Sequence, residues 1–61
     1  MEKSEIWHDI EEEPTKIGVR IGLLNMSNEI DYICWKGCFY MRDYHCYGYK
    51  AWAYADDIVN L

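Results

Sequence analysis

The chain has no apolar run close to the roughly 18 residues that a membrane-spanning helix needs. Its first residues show no basic stretch followed by an apolar one, so no secretory signal is expected. Bases are scarce, six Lys and Arg against eleven Asp and Glu. That balance argues against direct nucleic-acid binding, whose affinity comes from basic side chains that neutralise phosphates. The three cysteines are an odd number and cannot all pair within the chain. Without a leader, they fit a reducing cytoplasm and are expected as buried or half-buried thiols that behave as small hydrophobes. Only two histidines are present, His8 and His45, and no nucleophile-elbow motif surrounds any cysteine. A Cys–His nucleophile also needs an orienting third group and an oxyanion hole. A chain of 61 residues has little wall from which to build a dry pocket. The expectation is a cytoplasmic protein that is not an enzyme and has no cofactor.

What is present is concentrated. Residues 1–13 hold six acids and one lysine, whereas residues 14–61 hold five bases and five acids. The whole formal charge of −5 therefore belongs to an arm ahead of Pro14, the single proline. This divides one domain into an acidic N-terminal arm, 1–13, and a neutral body, 14–61. Three Trp, six Tyr and one Phe enrich the body and arm in aromatics. Each buries roughly 150–250 Å², which offsets the thin core of a chain that buries only about 60% of its unfolded surface.

Ile17, Val19, Ile21 and Leu23 alternate with Lys16, Gly18, Arg20 and Gly22, and this period of two predicts a strand over residues 16–24. The glycines on its other face leave room for a large neighbour, such as an aromatic ring. Residues 25–28, Asn-Met-Ser-Asn, read as a turn. A second strand is expected over residues 30–36, with apolar groups on both faces, so its core side stays open. Gly37 breaks or bulges it, and residues 38–42 are expected to continue as strand. Residues 43–49 read as a loop, 50–54 as a final strand and 55–61 as the start of a helical turn. In the arm, Ser4 is placed to cap a short, frayed helix with a stripe of Ile6, Trp7 and Ile10, ended by Pro14. The fold class is α+β and mostly β: a three- to four-stranded antiparallel sheet with a short helical segment at one or both ends.

The pattern at the two ends is distinctive. Trp-His-Asp-Ile-Glu-Glu-Glu-Pro at residues 7–14 precedes an alternating strand, and Trp-Ala-Tyr-Ala-Asp-Asp-Ile at 52–58 nears the end. This resembles a group of small phage and prophage proteins of unknown function from Bacteroidetes. They begin Trp-x-x-x-x-Glu-x-Pro and end on a Trp-containing strand followed by Asp-Asp-Leu or Leu-Pro. Residues 58–61 depart from it in lacking a closing proline, and residues 31–49 carry none of its signature. The resemblance implies a small β-rich fold of mobile-element origin, and no catalytic residues. Read without it, Trp7 and Trp52 are expected to pack together and close the core.

Three constellations bear on function. Cys34, Cys38, His45 and Cys46 are an allowed zinc set by residue type, but adjacent ligands at 45 and 46 are unusual. They supply only the third reading, a zinc-stapled mini-domain. Tyr40, Tyr44, Tyr47 and Tyr49 form a tyrosine patch with His45, and tyrosine suits interfaces because it is large, rigid and polar at its tip. Asp9, Glu11, Glu12 and Glu13 suit a basic groove of a protein partner, where complementary charge speeds association and fixes orientation. The leading expectation is a phage-type inhibitor, in the host cytoplasm, of a host nuclease or its nucleic-acid complex. It would be anti-CRISPR-like and act through this acidic and aromatic surface. The second reading is a structural or accessory phage protein that self-associates as a homo-oligomer through an edge strand.

Overall fold

A computed structural model describes residues 6–60. Alternation decides the centre of the fold. Strand β2, Val19–Asn25, pairs antiparallel with β3, Ile30–Trp35, on one side and with β4, Tyr49–Tyr54, on the other. A two-residue strand β1, His8–Asp9, adds to the far side of β4, which gives the order β1-β4-β2-β3. The helix α1, Ala55–Val59, follows β4 directly. Among the described residues no helix is long and apolar enough to cross a membrane.

The sheet has two unequal faces. On the front, Ile21 and Leu23 of β2 meet Trp35 of β3 and Trp52 of β4, and all four are buried. Ile10 and Met41 close over them from outside the central strands, at 2% and 0% exposure. Ile33 packs against this cluster, so the core side of β3 is the face of Ile33 and Trp35. On the back, Gly22 stands across from Tyr32 and Ala53. A Cβ on Gly22 would sit 2.6 Å from Ile58 Cδ1, 2.9 Å from Ile30 Cγ2 and 3.3 Å from Tyr32 Cε1. The glycine therefore lets both a ring edge and α1 approach the sheet, as the sequence pattern suggested for this position.

Several elements differ from their sequence reading. β2 starts at Val19; Gly18 takes φ +80° at the end of the ladder, where its N–H donates to the Trp35 carbonyl at 2.6 Å. Ile17 is consequently 72% exposed rather than buried. Ile6 has the 3₁₀ conformation, but the expected helix does not extend to Ile10. His8 and Asp9 pair with Trp52 and Ala51, and a turn follows in which Glu12 N–H donates to the Asp9 carbonyl at 2.9 Å. The Ser4 cap lies outside the described residues. Strand does not continue after Gly37, and residues 43–49 are not a loop. Met41–Tyr47 is a 3₁₀ helix, anchored by buried Met41 and ended by Gly48 at φ +92°. The turn after β2 is as expected: the Asn25 side-chain oxygen accepts from Ser27 N–H at 2.8 Å and Glu29 N–H at 2.9 Å.

Candidate functional site

The acidic segment is held in place by its own groups. Asp9 Oδ1 accepts the Glu11 N–H at 3.0 Å, a local turn that only a short acceptor side chain supports. The Glu12 carbonyl accepts the indole N–H of Trp52 at 2.7 Å. That bond satisfies the one polar group of a buried ring. Glu12 Oε2 also lies 3.1 Å from His8 Nδ1. The His8 ring stacks on Trp52, with centroids 4.3 Å apart and planes at 22°, and Tyr54 meets both rings edge-on. The ring stacked on Trp52 is thus that of His8; Trp7 is half-buried.

Glu13 makes the link to the rest of the surface. Its Oε2 accepts the N–H of Met41 at 2.8 Å, across 28 positions of sequence. Met41 is the first residue of the 3₁₀ helix, and its N–H has no partner within that helix. Tyr40 supplies no side-chain cap, so the arm supplies it. Of the four acids singled out in the sequence, Glu13 hydrogen-bonds to the tyrosine segment. The side chains of Asp9 and Glu12 are engaged within the arm, and Glu11 has no side-chain partner among the described residues.

The tyrosines divide into a groove and an outlier. Tyr44 meets Tyr49 edge-on at 6.1 Å and Tyr47 at 6.5 Å with a 56° tilt. These rings, with Phe39, Asp43 and Cys46, line an open groove of about 640 Å³. Tyr44 and Tyr49 are half-buried against the core, whereas Tyr47 is 77% exposed and Phe39 66%. Tyr49 donates its hydroxyl to Asp31 Oδ2 at 2.7 Å, and this bond to a carboxylate holds the phenol above its ordinary value of 10.0. Tyr40 does not line the groove; the guanidinium of Arg42 lies 4.9 Å from its ring centroid. His45 is exposed and is not part of the lining.

Sequence reasoning missed Phe39 and Asp43 in the groove and His8 beside Trp52. A bulky apolar residue just before a tyrosine-rich stretch was the available signal for Phe39. The cysteines correct an expectation: Cys34, Cys38 and Cys46 are all exposed rather than buried or half-buried. Cys34 lies on the back face, opposite Ile33 and Trp35, while Cys38 and Cys46 lie beyond the Gly37 turn. Among the described residues, no three His, Cys, Asp or Glu side chains are grouped to hold a metal ion. The set Cys34, Cys38, His45 and Cys46 is therefore not assembled. No protein-family profile matches the chain, and no curated protein or solved structure is significantly similar to it.

Proposed function

We propose that this chain is a non-enzymatic protein-binding module whose contact surface is the tyrosine groove with the acidic turn attached to it. The observation that carries the reading is the Glu13–Met41 hydrogen bond, which ties the segment richest in acid to the segment richest in exposed aromatics. Aromatic rings supply rigid contact area, and carboxylates beside them steer a basic partner and fix its orientation. The partner in this reading is a host protein with a basic, nucleic-acid-handling groove, and a defence nuclease is the specific case. Occupation of that groove by Asp9, Glu11, Glu12 and Glu13, anchored by the rings, would block the nucleic acid. The likeness of both chain ends to small phage proteins supports a mobile-element setting for such an inhibitor.

The test captures partners from the native bacterial host with the wild-type chain and with a Glu11→Gln, Glu12→Gln variant in parallel. Glu13 is left intact because of its bond to Met41. The expected result is a nucleic-acid-cleaving protein held by the wild-type chain, released steeply between about 0.05 and 0.3 M salt, and inhibited by the purified chain. Capture unchanged in the variant and insensitive to salt contradicts the reading.

A second reading rests on β3, a six-residue strand with no partner on its outer side among the described residues. Open edges pair readily with other strands. An accessory protein that self-associates through β3 would show a concentration-dependent dimer in sedimentation, and Cys34→Pro, at an exposed position of that edge, should abolish the dimer while the monomer keeps its circular dichroism; a dimer that survives this change contradicts the reading.

A further inference from the structure

The six tyrosines fall into two sets, and the chain's own bases separate them. Outside the groove, each tyrosine carries a cation on its ring. Lys16 Nζ lies 5.3 Å from the Tyr54 centroid, the Arg20 guanidinium 5.6 Å from Tyr32, and the Arg42 guanidinium 4.9 Å from Tyr40. Inside the groove, Tyr44, Tyr47 and Tyr49 carry none among the described residues. Lys50 is committed elsewhere, donating to Asn28 Oδ1 at 3.0 Å. Among the described residues, the groove is thus the tyrosine cluster whose negative ring faces no cation covers.

Charge points the same way. Asp43 lies on the groove lining, and Asp31 sits behind Tyr49 through the 2.7 Å hydrogen bond. Among the described residues no base lines the groove. Rings tilted at 56° and 72° to Tyr44 form walls rather than a flat platform. Such walls suit a guanidinium, which is planar, weakly hydrated and able to stack on one ring while its N–H groups reach a carboxylate.

We propose that the groove of Tyr44, Tyr47 and Tyr49 is a cage for an arginine side chain of the protein partner, with Asp43 as its counter-charge. This deepens the reading above and rests on the partner being a basic protein. The cage is nevertheless measurable without that partner. Bases of a nucleic acid also stack on aromatic rings, but their phosphates would meet Asp43 and the acidic arm rather than any cation on the lining.

The test is an NMR titration of the ring protons of the intact chain with N-acetyl-arginine methylamide at constant ionic strength. The citrulline counterpart, of the same shape but uncharged, is titrated in parallel. The expected result is a saturable shift at Tyr44, Tyr47 and Tyr49, with citrulline about tenfold weaker or more. Tyr47→Leu, at a largely exposed position, should abolish the shift without unfolding the chain, and Asp43→Asn should weaken it several-fold. Tyr40→Leu should leave it unchanged. Equal binding of arginine and citrulline overturns the cage, as does the absence of any saturable shift. Tighter occupation of the groove by an oligothymidylate also overturns it, in favour of a nucleobase. A nuclease still captured by Tyr47→Leu but lost in Glu11→Gln, Glu12→Gln sinks the cage and spares the function. Arginine bound in the groove with no acid-dependent nuclease captured does the reverse.

Discussion

His8, Trp52 and Tyr54 form one aromatic cluster, and Tyr44, Tyr47 and Tyr49 form another. The first is closed. Its rings stack or meet edge-on, the Trp52 indole is bonded to the Glu12 carbonyl, and the Tyr54 hydroxyl accepts the Thr15 N–H at 3.1 Å. Lys16 covers the outer face of Tyr54. The second is open. Tyr47 is 77% exposed, and among the described residues a single hydroxyl of the three reaches a carboxylate and no cation sits on the rings. The two clusters hold similar side chains, so composition does not separate them; satisfied polar atoms and covered faces do. The closed cluster fastens the arm to the sheet, and the open one is the contact surface of the proposed function.

The contrast is broken most severely at Trp52. Trp52→Ala removes a fully buried ring, its stack with His8 and its bond to Glu12, and should cost about 3–5 kcal/mol. A domain of this length holds only about 3–9 kcal/mol in total, so the variant should lose half or more of its stability, read as a sharply lowered urea midpoint by circular dichroism. Ile10→Ala empties the place where the arm enters the core and should cost about 2–4 kcal/mol. Amide exchange of His8 and Asp9 should then accelerate more than that of β2. Glu13→Ala orphans the Met41 N–H and should cost about 1 kcal/mol in urea unfolding, with Glu13→Gln restoring most of it.

A smaller effect belongs to pH. Tyr49 is held above 10.0 by its hydrogen bond to Asp31, so its protonated, donating form is favoured in the fold. The stability from that bond is fully present below pH 10 and is lost as pH rises through the raised value. Asp31→Asn should lower the Tyr49 titration toward 10.0, measured by ring-carbon NMR shifts. No change in that titration would mean that the bond does not set it.

Much of this was legible in the sequence, for local reasons. The alternation around Ile21 and Leu23, the Asn25 turn and the Trp52 strand are set by periodicity and by side chains that bond to their own neighbours. The acidic arm and the tyrosine patch were legible as composition. What was not legible depends on distant partners. Met41–Tyr47 becomes a 3₁₀ helix with a cap that comes from Glu13. Residues 38–42 look like strand because Cys, Phe and Tyr favour it locally. His8–Asp9 becomes a strand because Trp52 and Ala51 offer an edge, which no pattern within the arm announces. Gly22 was readable as a place of close approach, yet the helix that approaches it was not.

The smallest expected effect is the most informative. Urea unfolding of Tyr47→Leu tests directly whether the open cluster is spare for binding or part of the core. The expected change is within about 0.5 kcal/mol of the wild-type chain, as for an exposed side chain away from caps and core. A loss beyond about 2 kcal/mol would place Tyr47 among the residues that hold the fold and would contradict the division between the two clusters.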